Sequence, residues 1–305
     1  MKTSFLLAAA AAMALAGPAA GADKPTREQM MSPAPNPFWN AMTLTGYETE
    51  KIAEDLYAFR HIGTRTIFIV TGEGVIVADP ISPASAKILR EEIRKVTSEP
   101  VKYVVYSHEH WDHVPGAKIF KDEGAQIVAH ENCGKHFTDL PHPDIVMPDI
   151  TFPDDYTLKL GRHSVELIYL GPNHGDCMVF MRPDIERGKY VFVVDLFTPG
   201  GAPLSYFPDY APHHWVRAMK ELEALKPDTF INGHGVTLSH PSALTERRRY
   251  LEALMAAVKK AIDDGMPPTE IPDKVRLPEF AYLRGYEANI RDNVRRVQTF
   301  YGIGW

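Results

Sequence analysis

Apolar and polar positions alternate in two regimes along this chain. Short runs rich in Val, Ile and Phe mark strands. Longer stretches with apolar residues every three or four positions mark helices. Thr66–Thr71 and Val75–Ala78 flank Gly72-Glu73-Gly74, a turn signal that predicts a hairpin. The segment 83–97 predicts a helix, with Ile88, Leu89, Ile93 and Val96 on one side and Ser82 placed to cap it. Strands near 102–106 and 126–129 then alternate with short helices near 115–121 and 131–138. In the second half, strands near 157–160, 163–170, 177–182 and 189–194 read as a meander. Its turns fall at Gly161-Arg162 and over 185–188. A helix over 212–225 carries Trp215, Met219, Leu222 and Leu225 at helical spacing, and Thr229–Ile231 reads as a short strand. A helix over 241–263 stops before Pro267-Pro268. A last helix near 282–301 carries Tyr286, Ile290, Val294 and Val297.

The first residues follow a different pattern. Lys2 precedes an apolar run from Phe5 to Ala16 that is too short to anchor in a bilayer. Ala20-Gly21-Ala22 fits the small-residue cleavage rule, so residues 1–22 are expected to be a signal peptide and the mature chain to begin at Asp23. Ala14-Leu15-Ala16 offers a second cut. No cysteine lies near either, so no lipid anchor is expected. The expected location is the periplasm or the medium. Residues 23–45, with Pro25, Pro33, Pro35 and Pro37, read as an extended arm. Residues 46–305 read as one domain.

Composition narrows the function. Of 305 residues, 45% are hydrophobic and 24% charged, an ordinary globular balance. The net charge is −6 and there is no basic block, so nucleic acid is not an expected partner. The densest cationic cluster, Arg247-Arg248-Arg249, lies in a helical pattern and reads as a solvated face. An oxidising compartment permits a bridge between the two cysteines, Cys133 and Cys177. Their settings argue against it, since Cys133 lies near a helix start and Cys177 opens a strand. Cys177 reads as a small core residue.

The candidate chemistry gathers at strand ends. One residue beyond the run Val101–Tyr106 comes His108-Glu109-His110-Trp111-Asp112-His113. In an extended loop His108 and His110 point the same way, so both imidazoles can reach one ion. Asp112 and His113 diverge and suit a second ion beside it. Imidazole nitrogen and carboxylate oxygen are ligands that zinc, iron(II) and manganese(II) accept. Three further strands end on ligand-type residues: His174 within Gly171–Asp176, Asp195 after Tyr190–Val194, and His234 within Asn232–Gly235. Asp79 closes Val75–Ala78. An aspartate at the end of an apolar strand is costly to bury unless paired or metal-bound.

Taken together and in order, these signatures resemble the metallo-β-lactamase superfamily, over about Leu56 to His240. The resemblance implies an α/β fold, a four-layer αββα sandwich. It implies that one metal takes His108, His110 and His174 and a second takes Asp112, His113 and His234. Asp195 and a hydroxide would bridge the two, and Asp79 would support the ligands from behind. The expected cofactor is two Zn2+, with iron or manganese accepted. The best-known secreted β-lactamases of the superfamily have cysteine where this chain has Asp195. An aspartate there looks like the glyoxalase II, lactonase and phosphodiesterase-type members. Glu109, between ligands, reads as a neighbour of the site and not a ligand.

The function so implied is an exported zinc-dependent hydrolase. A hydroxide activated by two metals would cleave an ester, thioester, lactone or lactam in a small-molecule substrate, with Asp112 as the catalytic carboxylate. The alternative is a non-hydrolytic member, such as an iron sulfur-dioxygenase-type enzyme or an accessory or binding protein of a quinone cofactor. Metal content separates the two. A homodimer is compatible with the sequence. Tyr206, Phe207 and Tyr210 follow Asp195 and form either a substrate-pocket wall or packing for the next helix. His213 and His214 read as helix-start residues.

Overall fold

Alternate residues of the central strands feed two different hydrophobic layers. Along β3 (Thr64–Val70), Ile67 and Ile69 enter one buried cluster while Phe68 and Val70 enter another. The same split runs through β4 (Val75–Ala78), β5 (Val101–Val105) and β6 (Gln126–His130). On these strands Ile76, Ala78, Val105 and Val128 face one way, and Val75, Val77, Val104, Ile127 and Ala129 the other. A strand buried on both faces needs a layer on each side. On one side lie α1 (Pro83–Val96), α2 (Lys118–Asp122) and α3 (Glu131–Asp139), which contribute Ala86, Leu89, Ile93, Phe120 and Phe137. On the other lies a second sheet.

The computed structural model describes residues 46–204, Phe207 and residues 211–304. The signal segment 1–22, the whole arm over 23–45, and Tyr206 and Tyr210 lie outside the described residues. The first sheet has the order β1-β2-β3-β4-β5-β6-β7, with β1 Tyr47–Ala53, β2 Leu56–His61 and β7 Ile150–Phe152. Its pairs are antiparallel from β1 to β4 and parallel from β4 to β7. The second sheet has the order β13-β12-β11-β10-β9-β8. It is made of β8 Tyr156–Leu160, β9 His163–Tyr169, β10 Val179–Pro183, β11 Tyr190–Val193, β12 Thr229–Asn232 and β13 Leu238–Ser239. The outer helices here are α4 (Pro212–Ala224), α5 (Ser242–Asp263) and α7 (Tyr286–Ile303), with the short α6 (Ile271–Lys274) between them in sequence. Their Trp215, Met219, Leu251, Leu254, Ile290 and Val294 join the large core shared by both sheets. This is the αββα sandwich, an α/β fold.

The predicted hairpin, meander and helices form near their expected bounds. The Ser82 hydroxyl caps α1 by accepting from the Ser85 N–H at 3.2 Å. The predicted strands omit β1, β2, β7 and β13; β1 carries exposed charges, and β7 and β13 are only three and two residues long.

Two expectations are corrected. Cys133 and Cys177 are disulfide-bonded, with their Cα atoms 5.3 Å apart. Helix α3 lies across the segment that carries Cys177: Asn132 Nδ2 donates to the Asp176 carbonyl at 2.9 Å, and Lys135 and His136 both pair with the Asp176 carboxylate. Sequence separation hides that contact. Arg247 is not on a solvated face either. It is buried, its Nη2 donates to the carbonyls of Gly201 at 2.6 Å and Thr198 at 3.3 Å, and its guanidinium lies over the Trp215 ring. The disulfide closes a loop of 44 residues in separation. By loop-closure entropy its removal should cost up to about 4 kcal/mol. Cys133→Ala/Cys177→Ala is therefore expected to unfold at distinctly lower urea than the parent. An unchanged midpoint would show that the bridge contributes nothing to the folded state.

Candidate metal centre

Topology sends the candidate ligands to one edge. Strands β4 and β5 are parallel, and so are β11 and β12. Strand β9 is antiparallel to β10, which is antiparallel to β11, so β9 also runs with β11. The carboxyl ends of these five strands carry Asp79, the 107–113 loop, the 171–176 loop, Asp195 and the 232–235 loop. Cross-sheet hydrogen bonds tie the loops together: Val179 N–H donates to the Ser107 carbonyl at 2.8 Å, and Arg65 N–H to the Gly233 carbonyl at 2.7 Å.

All seven side chains converge. His108, His110, His174 and Asp195 place one ligand atom each within 4.8 Å of one another, and so do Asp112, His113, Asp195 and His234. Asp195 belongs to both sets. Four ligands at tetrahedral zinc distances lie about 3.3 Å from each other. In the first set, Asp195 Oδ2 is 3.1 Å from His108 Nε2, 3.3 Å from His174 Nε2 and 3.9 Å from His110 Nδ1, while His174 Nε2 and His110 Nδ1 are 3.0 Å apart. In the second, His113 Nε2 is 3.3 Å from Asp112 Oδ2, 3.3 Å from Asp195 Oδ2 and 3.2 Å from His234 Nε2. His234 Nε2 lies 2.7 Å from Asp195 Oδ1 and 3.6 Å from Asp112 Oδ2. His108 Nε2 is fully buried and turned toward Asp195 Oδ2, with the other ligand atoms of its set close by. Spacing and donor chemistry both fit metal ions held at these side chains.

Neighbours orient the set. Ser107 Oγ contacts His108 Nδ1 at 2.8 Å. Asp79 is buried; its Oδ1 accepts from Ser107 N–H at 2.7 Å and its Oδ2 lies 3.3 Å from His113 Nδ1. The Gly63 carbonyl accepts from His234 Nδ1 at 2.9 Å. Trp215 Nε1 donates to the Leu196 carbonyl at 2.6 Å, just beyond Asp195. The electrostatics follow from crowding charges into a buried space. Burial alone would raise the Asp195 carboxyl, but His113 and His234 hold it well below the usual carboxylate range. Asp112 is depressed in the same way, against burial, chiefly by His113. Burial pushes His108 down to about 4, with help from His110. His113 is lifted well above its ordinary value, against burial, by Asp112 and Asp195. A proton on His113 competes with a metal ion for Nε2, so ion affinity should fall as pH drops.

The remaining candidates separate from the seven. Glu109 turns toward the disulfide, with Oε2 3.0 Å from Cys177 Sγ and Oε1 3.8 Å from His136 Nε2. Phe207 is buried 5.5 Å from the Trp215 ring and packs the helix, so it is not an exposed wall residue. His213 stacks on Phe300 at the start of α4. Sequence reasoning missed Ser107, Arg65 and Trp215. Only Ser107, adjacent to the His cluster, carried a local signal.

Gly233 is where the two ligand strands touch. A Cβ there would meet Val194 Cγ1 at 2.8 Å and Val194 Cα at 2.9 Å. Val194 precedes Asp195 and Gly233 precedes His234. Gly233→Ala is expected to cost ~1–3 kcal/mol by overpacking and to loosen metal retention. Melting with and without chelator checks this; a variant matching the parent in both would show that the strands separate freely.

The family model for the metallo-β-lactamase superfamily matches residues 62–234. The chain belongs to the metallo-β-lactamase superfamily. It is 25% identical over 291 residues to a linear primary-alkylsulfatase from Pseudomonas sp., covering 76% of this chain and 54% of that protein. It is 27% identical over 224 residues to the alpha subunit of a 2,4-dinitroanisole O-demethylase from Nocardioides sp., covering 72% of this chain and 66% of the subunit. The chain thus spans about half to two-thirds of the length of these relatives. Among solved structures, a metallo-β-lactamase from Pontibacter korlensis superposes with a TM-score of 0.61 at 21% identity, covering 68% of this chain and 99% of the other. A sec-alkylsulfatase from Pseudomonas sp. gives a TM-score of 0.70 at 17% identity, covering 90% of this chain and 54% of the other. The matches establish the superfamily and not the glyoxalase II-like subtype. Among the described residues no helix is long and apolar enough to cross a membrane.

Proposed function

We propose that this protein is a dinuclear metal hydrolase that cleaves an ester-type bond in a small organic molecule. The observation that carries the reading is the pair of four-residue ligand sets sharing Asp195. His108, His110 and His174 would hold one ion, Asp112, His113 and His234 a second, and Asp195 would face both. Zinc suits this donor set, and iron and manganese accept it. Bound there, such ions lower the pKa of water and polarise the electrophilic centre of a substrate. The chain's own groups do the rest. Asp112 is a quarter exposed, against 14% for the Asp195 side chain, so it meets substrate and solvent first, as an ionised carboxylate able to accept a proton. Ser107, Asp79 and the Gly63 carbonyl fix the imidazole rings, which preserves the ligand geometry between turnovers.

Alkyl sulfate esters are the first substrates to test, because a sequence relative is an alkylsulfatase. Carboxylic esters, thioesters, lactones and lactams form the rest of the panel. The test is turnover by protein loaded with zinc, manganese or iron, with a chelated control. Turnover of no panel member, or turnover that survives chelation, would remove the hydrolase reading. Two ions per chain with hydrolysis separates it from a one-iron oxidising enzyme.

We also propose export to an oxidising compartment. The basic residue and apolar run of residues 1–22 support it, and so does the Cys133–Cys177 bridge. N-terminal sequencing of the mature protein from a periplasmic fraction tests this; an intact Met1 in the cytosol would overturn it.

A further inference from the structure

Arg65 sits in β3, a strand of the first sheet, yet its side chain serves a loop of the second. Nη1 donates to the Asn232 carbonyl at 2.7 Å and reaches the Val236 carbonyl at 3.4 Å, and Nη2 donates to the Gly235 carbonyl at 3.0 Å. Its backbone N–H takes the Gly233 carbonyl at 2.7 Å. Four of the five carbonyls over 232–236 therefore point at one residue. The fifth residue position in that turn is His234, whose ring faces the other way, toward Asp195.

The setting is unusual for an arginine. The residue is 4% exposed, and among the described residues no carboxylate lies within ion-pair distance. Its partner across the strand pair is Arg60, a like charge, which turns away to Glu48 and the Ile62 carbonyl. Burial pushes the guanidinium down to about 10, so it remains charged at neutral pH. A buried charge without a directly paired counter-ion is costly, and here the contacting partners that offset it are carbonyl dipoles, with Glu50 and Glu48 acting from farther off. A planar fork with five donors can span several carbonyls at fixed angles, which an ammonium cannot.

The loop needs such a brace. Gly235 has φ +77°, and Gly233 is pressed against Val194. Residues 63–65 supply the brace from one segment: Gly63 accepts from His234 Nδ1, Thr64 bridges to His234 through the backbone, and Arg65 gathers the carbonyls. We infer that Arg65 is a positioning residue for the second metal site: its guanidinium holds the 232–236 turn so that His234 Nε2 faces the Asp112–His113–Asp195 set. The inference rests on the reading of His234 as a metal ligand.

The test is metal titration of apo-protein with cobalt(II), read by visible absorption and by ion count, on the parent, Arg65→Met, Arg65→Lys and His234→Ala. Arg65→Met is expected to bind the second ion about 10–100-fold more weakly, with the first ion unchanged. Its cobalt spectrum should lose the second-site bands. Arg65→Lys keeps the charge without the fork and should recover only part of the affinity. A merely structural arginine would lower the melting temperature and leave both affinities and the spectrum alone. Two ions bound at parental affinity in Arg65→Met would overturn the inference. If that variant does not fold, parental affinity in Arg65→Lys overturns it instead. The His234→Ala arm separates the two claims: if it keeps both ions, the ligand assignment itself is wrong, whereas loss there with retention in Arg65→Met defeats only the role of Arg65.

Discussion

Asp195→Ala is expected to release both metal ions and to lower turnover by on the order of 10³-fold or more, about 4 kcal/mol of barrier. The carboxylate is the one group common to both ligand sets. Its two oxygens lie 2.7–3.9 Å from nitrogens of five different histidines. Deleting any single histidine leaves three ligands to its own ion and touches the other ion little. Deleting Asp195 takes a ligand from each and also removes the negative charge that separates two cations. Without ions the same change leaves His108, His110, His113, His174 and His234 facing one another with less compensating charge. The measurement is ion count by elemental analysis, with circular dichroism as the check on folding. Cys177→Ala is the contrast. Cys177 is buried in the layer between the first sheet and its helices and bonded to Cys133, so that change should lower stability and spare the ions. Equal loss of metal in the two variants would mean that Asp195 does not bridge.

The ligand set was legible in sequence because each member closes an apolar run. Asp79 follows Val75–Ala78, Asp195 follows Tyr190–Val194, and the histidine loop follows Val101–Tyr106. Strand ends are local features, and parallel strands bring them to one edge of a sheet without further instruction. The large helices were legible for a similar reason, since the spacing of Trp215, Met219 and Leu222 marks a single buried stripe. What could not be read is contact between elements far apart in the chain. Arg65 and the turn it serves are 167–171 residues apart, and in sequence Arg65 is a charge between two threonines at the head of an apolar run. Arg247 looked like one of three consecutive surface arginines, yet it alone turns inward to the carbonyls beyond Asp195. The disulfide was misjudged because helix and strand contexts were weighed singly. Packing of α3 on the Asp176–Cys177 segment decides the matter, and that packing is tertiary. These misses share one physical form: each is a buried polar or sulfur group whose partner is backbone or side chain on another element.

Asp112→Ala is expected to leave the protein folded with one metal ion and almost no turnover. The side chain is a quarter exposed, and its close contacts, His113 Nε2 at 3.3 Å and His234 Nε2 at 3.6 Å, all lie inside the second ligand set. Among the described residues no strand, helix cap or core contact depends on it, so the cost in stability should stay within about 1 kcal/mol. The first set, His108, His110, His174 and Asp195, keeps every member. The second set falls to His113, His234 and the shared Asp195, and it loses the only carboxylate it does not share. Two consequences follow for the chemistry. The second ion is held too weakly to persist, and the group placed at the opening to receive a proton is gone. Asp112→Asn separates these effects, because an amide oxygen can still serve as a weak ligand but cannot accept a proton in the same way. Circular dichroism, ion count and turnover on whichever panel substrate works are the three readouts. A native spectrum with one ion and a rate reduced by at least ~10³-fold supports the assignment. Near-parental turnover in Asp112→Ala would show that the carboxylate has no catalytic part, and that the activated water is generated by the His108, His110 and His174 side of the centre alone.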